Sequence, residues 1–174
     1  MRMAKLIVLV ACVVIAGPAA ANVTDASTKA TKAAAITVMM TDLGCTALST
    51  DTFEARSWSW GASQLISELN GAGKAVLDGL VLTRMTDACS PALLRGVLTG
   101  LHNKELRLSQ YDTNGTLKAT VSMVDVVLTD WKIAGANTSG EATEQVTLSA
   151  SRFTFTDVAS GANFCYDIQK QVRC

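Results

Sequence analysis

A single histidine, His102, serves all 174 residues, and no two of the five cysteines stand in a CxxC spacing. Structural zinc centres draw four nitrogen or sulfur donors from short, recurring spacings, so a metal site is only the weaker alternative to disulfides for these cysteines. Nucleophilic catalysis is also short of parts. A Ser/His/Asp arrangement has to use His102 in a polar stretch just past a helix, and no GxSxG elbow accompanies it. Excess charge of either sign is missing too, because Lys+Arg and Asp+Glu both number 15. Without a basic patch, neither nucleic acid nor an anionic membrane surface is an expected partner. Asn70-Gly71-Ala72-Gly73-Lys74 has the look of a phosphate loop, but Glu68 stands where the earlier glycine belongs. Ala75 follows Lys74 where a Ser or Thr would hold Mg²⁺, which removes the nucleotide reading. No cofactor is expected.

Long apolar runs are absent as well. The longest, Leu6 to Ile15 (LIVLVACVVI), is too short to span a bilayer and follows Arg2 and Lys5. Small residues Ala19-Ala20-Ala21 come next, so residues 1–21 are expected to be a signal peptide cut between Ala21 and Asn22. A lipoprotein signal ending at Cys12 is the weaker alternative, since the stretch after it (VVIAGPAAA) stays apolar. The mature chain is then exported, periplasmic or extracellular, with no membrane insertion. Residues 22–34 are small and polar and are expected to form a mobile mature N-terminus before a single domain, 35–174.

Loss of Cys12 with the signal leaves Cys45, Cys89, Cys165 and Cys174, an even number suited to an oxidising compartment. Four cysteines allow three connectivities. Pairing Cys165 with Cys174, the nearest two, pins the tail, and Cys45–Cys89 then ties an early loop to a later one.

Alternation with period two dominates the rest. Ala35–Met40 is expected as a strand, and Thr52–Trp60 as a second, with Trp58 and Trp60 on one face and Ala55, Ser57 and Ser59 on the other. Ser57, Trp58, Ser59 and Trp60 are candidate subunit-interface or lumen residues, and the tryptophans are also candidates for sugar stacking. Gly61 to Gly79, with four glycines, reads as a long irregular loop of functional potential. Leu80–Met85 reads as a buried strand. Ser90-Pro91 starts a short helix at about residues 91–100, with Ser90 as N-cap, Gly100 as terminator, and Leu93, Leu94, Val97, Leu98 and Leu101 as its apolar stripe. Asn114-Gly115 marks a hairpin. The alternating phase then flips near Val124-Asp125 and again near Ser151-Arg152, as bulges would make it do, and Phe164–Ile168 closes the chain as a last strand. Asp125, Asp130, Glu141 and Glu144 are the carboxylates from which a catalytic pair would have to come. The expected class is mainly β, a β-barrel-like sandwich of two antiparallel sheets with one short α-helix, and not an enzyme.

Several segments in order resemble a known family. Phe53-Glu54-Ala55-Arg56-Ser57-Trp58-Ser59-Trp60-Gly61 is similar to the early Ser-aromatic-Ser strand of the hemolysin-coregulated protein (Hcp) family, the tube subunits of type VI secretion systems. Arg84-Met85-Thr86-Asp87-Ala88-Cys89-Ser90-Pro91-Ala92-Leu93 resembles that family's strand, acidic residue and Ser-Pro helix start. Gly100 through Leu108, Val124–Leu128, Glu144–Leu148 with Phe153-Thr154-Phe155, and Tyr166–Ile168 resemble the strands that follow. The resemblance spans roughly Ala35 to Lys170. It implies a six-membered homo-oligomeric ring whose copies stack into a tube, with effector cargo in the lumen and sheath and spike proteins as further partners. Tubes of this family assemble in the cytoplasm and ordinarily carry no cleavable signal, so the export peptide and the four cysteines are departures. An exported binding or adhesion module, using the Gly61–Gly79 segment as its contact surface, is the alternative function, and a hydrolase with an unseen site is a third.

Overall fold

The computed structural model describes residues 34–45, 50–67, 71–135 and 140–174. The expected signal peptide, its Ala21/Asn22 cleavage point and nearly all of the 22–34 segment lie outside the described residues. Strands run in the order β1 (Ala35–Thr41), β2 (Thr50–Ala55), β3 (Ser57–Ser59), β4 (Ala62–Ser67), β5 (Gly71–Leu77) and β6 (Leu80–Met85). Helix α1 (Ser90–Thr99), the one helix among the described residues, follows, then β7 (His102–Tyr111), β8 (Leu117–Gly135), β9 (Ala142–Asp157), β10 (Asn163–Asp167) and β11 (Val172–Arg173). The fold is mainly β, with two antiparallel sheets. Nine strands form one sheet in the order β11-β10-β9-β8-β7-β1-β2, with β6 joined to both β9 and β3, while β4 and β5 pair only with each other.

The large sheet curls around its own core. β2 pairs with β1, and after one residue the chain continues as β3 against β6, so a single segment passes from one flank of the sheet to the other. Arg56 marks the corner, and its N–H donates to the Thr83 carbonyl at 2.7 Å. The strands approach a barrel without closing one. Val38, Met40, Leu80, Leu82, Leu106, Leu108, Val121, Leu128, Val146 and Leu148 fill the interior, each essentially without exposed surface. Burying a side chain of this size contributes on the order of 1.5–3 kcal/mol, so the alternating pattern supplies the main stabilisation.

Bending of the sheet has a visible cause. β7 buries Asn103 but then Leu106 and Leu108; β8 buries Val121 and Met123 but then Val126 and Leu128; β9 buries Glu144, Val146 and Leu148 but then Phe153. Three neighbouring strands thus exchange their inner and outer faces along one line. The flips expected near Val124-Asp125 and Ser151-Arg152 lie on it, but no extra residue makes them. Val124 pairs with Arg152 and Val126 with Ala150, so Asp125 stands opposite Ser151 in register. Asp125 instead takes a left-handed backbone (φ 55), a conformation that Asp tolerates better than most residues. The irregularities of register lie elsewhere, between Leu128 and Asp130 and between Gln110 and Tyr111.

The segment Gly61–Gly79 corrects the expectation of an irregular loop. It holds the β4–β5 hairpin, with Ala62 opposite Leu77 and Ser67 opposite Gly71. Leu77 packs against the core at its end, and the Gln64 side-chain N–H donates to the Gly73 carbonyl at 2.8 Å. A second correction concerns the hairpin at Asn114-Gly115. The turn is not a two-residue one, because residues 112–116 connect β7 to β8 and only Gly115 has positive φ (79). The Gly115 N–H donates to the Asp112 carbonyl at 3.0 Å, while the Asp112 carboxylate accepts from the Asn114 and Thr116 N–H groups at 2.8 and 2.9 Å. Asp112 therefore organises the turn.

Candidate functional site

The expected second strand, Thr52–Trp60, is divided at Arg56 into β2 and β3, and the four residues singled out on it, Ser57, Trp58, Ser59 and Trp60, all follow the break. Phe53 and Ala55 are buried before it, and Trp58 and Trp60 pack against the core after it. Ala55 is thus on the bulky side and not with Ser57 and Ser59, because the corner reverses the parity of the segment. Trp58 donates its indole N–H to the Gln110 side-chain carbonyl at 3.1 Å, and Trp60 donates to the Asp78 carbonyl at 2.9 Å while meeting Phe153 edge-to-face at 4.3 Å. Both rings hold the curl of the sheet together. Ser57 and Ser59 are exposed on its outer side, a small and polar surface against which another backbone can come close.

The carboxylates considered for catalysis go to separate basic partners. Asp125 accepts from His102 Nδ1 at 2.8 Å and from the Ser151 hydroxyl, Asp130 pairs with Lys132 at 2.7 Å, and Glu141 lies 3.8 Å from Arg56. The Ser151 hydroxyl, then the imidazole, hold the Asp125 carboxyl below the usual carboxylate range. Glu144 is the exception to a solvated surface charge. It is 2 % exposed, pairs with Arg84 at 3.3 Å, and accepts from the Ser90 hydroxyl at 2.9 Å and the Trp131 indole at 2.7 Å. Its approach strand looks solvated because the partners that bury it come from β6, α1 and β8. His102 is a surface histidine at the start of β7.

Ser90 is drawn out of its expected role by the same network. Cys89 occupies the N-cap position, Ser90 is already helical, and no side chain caps the helix, since the Ser90 hydroxyl faces Glu144. Gly100 ends the helix as expected, at φ 61. Ala92, Leu93 and Gly96 form its buried face, whereas Leu98 is 76 % exposed. Gly96 faces the Leu128 side chain, so the helix meets β8 through that side and turns Leu98 outward.

Cys45 and Cys89 are joined with a Cα separation of 4.7 Å, which fastens the segment after β1 to the start of α1. Cys165 and Cys174 are joined at 5.2 Å and hold β11 beside β10. Among the described residues no group of three or more His, Cys, Asp or Glu side chains is placed to hold a metal ion, and no helix is long and apolar enough to cross a membrane.

Comparison with known proteins gives these features a context. Residues 44–156 match the family described as "Type VI secretion system effector, Hcp". Among solved structures, Hcp1 from Salmonella typhimurium aligns at 19 % identity with a TM-score of 0.68, covering 82 % of this chain and 99 % of that one. A type VI secretion system effector from Yersinia pestis aligns at 21 % identity with a TM-score of 0.63, covering 76 % and 98 %. A further type six secretion system protein aligns at 16 % and 0.68, covering 82 % and 100 %. A sequence search of curated proteins returns no match. The matched region includes β2 through β8 and nearly all of β9, so this chain belongs to the Hcp family of type VI secretion, a family of ring- and tube-forming structural proteins and not of enzymes.

Proposed function

We propose that the chain is an exported ring or tube subunit, six-membered like the rings its family is built on, whose lumen takes effector cargo. The observation that carries this is the family match across residues 44–156, which takes in β2, β3, β6, β7, β8 and nearly all of β9 of the curled sheet. Disulfides at Cys45–Cys89 and Cys165–Cys174 support a working place in the periplasm or outside the cell, where such bonds persist. Export also separates this subunit from sheath and spike proteins that act on tubes in the cytoplasm. Ring closure needs heterologous contacts that repeat around an axis, and the exposed small surface at Ser57 and Ser59 suits one side of such a contact. Mass measurement of the mature protein in solution tests the proposal: a hexamer is expected, and a strict monomer at high concentration overturns it. A mature N-terminus at Met1 overturns the export part alone.

A second reading, an exported binding or adhesion module, is favoured by the β4–β5 hairpin, which pairs with no other strand. A protein monomeric at all concentrations that loses target adhesion on deletion of residues 62–77 would have this function instead.

A further inference from the structure

The pattern Asn-x-Ser/Thr, the acceptor sequence of N-linked glycosylation, occurs three times in the chain, at Asn22, Asn114 and Asn137. Asn114 differs from the other two. Asp112 stands two residues before it and Thr116 two residues after, whereas Ala20 and Gly135 occupy the position before the others. One kind of oligosaccharyltransferase that acts on exported chains selects an acidic residue at that place, since a carboxylate there can be held by a cationic group in the enzyme's peptide groove.

The structure puts this sequence where an enzyme can reach it. Asn114 and Thr116 are exposed in the turn between β7 and β8, and among the described residues nothing hydrogen-bonds the Asn114 carboxamide. Turns of this kind are accessible after folding, and a substituent on the tip leaves the flanking ladder intact. Asp112 is held in the turn by the Asn114 and Thr116 N–H groups and by Lys118, whose ammonium lies 3.1 Å away. Its carboxyl is kept below the usual range, chiefly by the Thr116 N–H, so it is charged in any neutral compartment.

We infer that Asn114 is an acceptor site for N-linked glycosylation, taking its glycan from a lipid-linked oligosaccharide. The carboxamide nitrogen of Asn114 bonds to the anomeric carbon of the first sugar, the bond from that carbon to the lipid pyrophosphate breaks, and the pyrophosphate leaves with the electron pair. One amide proton is lost to the enzyme's base. The site rests on the export reading, because the donor and the enzyme work on the far side of the inner membrane.

The full chain, expressed in a bacterium that carries a periplasmic oligosaccharyltransferase of the acidic-residue-dependent kind and its lipid-linked oligosaccharide, tests the site in two arms. One arm keeps the native N-terminus and the other replaces residues 1–21 with a foreign export signal. Peptide mapping by mass spectrometry is expected to find glycan on Asn114 and none on Asn22 or Asn137. Asn114→Gln removes it, Asp112→Ala loses the greater part of it, and Asp112→Glu restores it. Loss in Asp112→Ala reports recognition of the carboxylate, since freeing the turn by itself makes Asn114 easier to reach. Unmodified Asn114 in protein recovered from the periplasm of the foreign-signal arm overturns the inference. Glycan in that arm alone supports the site and overturns native export.

Discussion

Arg84 and Glu144 face each other across the β6–β9 ladder, and both are withdrawn from solvent in the interior of a largely apolar curl. The guanidinium also pairs with Asp87 and lies 4.4 Å above the Phe53 ring. Through Ser90 and Trp131 the carboxylate then links the start of α1 to β8. One ion pair thereby joins β6 and α1 to β8 and β9, which lie some way further along the chain.

Removing one partner of a buried pair leaves the other charge uncompensated, which costs about 3–5 kcal/mol. Glu144→Ala is expected to lose stability on that scale in chemical denaturation. Arg84→Met combined with Glu144→Leu is expected to recover most of the loss, because it removes both charges. A Glu144→Ala variant within about 0.5 kcal/mol of the parent, the range of ordinary surface changes, would show that the pair is not a structural link.

The two disulfides are expected to differ in worth. Chain entropy gives about 4 kcal/mol for the long Cys45–Cys89 loop and about 2.5 kcal/mol for the short Cys165–Cys174 loop. Cys89→Ser is therefore expected to lower the unfolding midpoint more than Cys174→Ser. The second variant should mainly fray the β11 end, seen as faster amide exchange at Tyr166 and Asp167. Equal midpoints for the parent with and without reductant would contradict both expectations.

Acid sensitivity follows from three aspartates, two of them half-buried. Asp112, Asp125 and Asp157 are held below their ordinary pKa, first by the Thr116 N–H, the Ser151 hydroxyl and the Ser160 N–H respectively. A carboxyl lowered in the folded state adds stability above its unfolded pKa of about 3.9, and that stability is lost as pH falls through the folded value. Stability is thus expected to be flat near neutrality with respect to these groups and to decline below about pH 4. Asp125→Asn should flatten the decline, and an unchanged acid limb in that variant would remove Asp125 from the account.

Much of this was legible from local pattern, and the exceptions share a cause. Leu106/Leu108, Val121/Met123 and Val146/Leu148 alternate because one face of each strand meets the core, and Gly100 ends the helix for its left-handed backbone. The β4–β5 hairpin was hidden because its apolar residues, Leu65-Ile66 and Val76-Leu77, come as adjacent pairs among small residues and give no alternation. Glu144 looked solvated, and Ser90 looked like a cap, because the partners that bind them arrive from elsewhere in the chain. The parity reversal at Arg56 was equally invisible, since a corner between two flanks of a curled sheet depends on where β1 and β6 lie.

That corner makes adjacent residues separable by experiment. Trp60 points inward onto Phe153, so Trp60→Ala is expected to cost about 3 kcal/mol, the lower end of large aromatic truncations given its partial exposure. Ser59 points outward, and Ser59→Arg should leave the unfolding midpoint unchanged. The arginine nonetheless brings a long cationic side chain onto the small surface proposed for a neighbouring subunit. Ring assembly, followed by mass in solution, is expected to fail in Ser59→Arg while the subunit stays folded. Rings of full mass in that variant would assign the Ser57/Ser59 face to the lumen or to free solvent. A large drop in midpoint would instead show that Ser59 belongs to the packed side of β3.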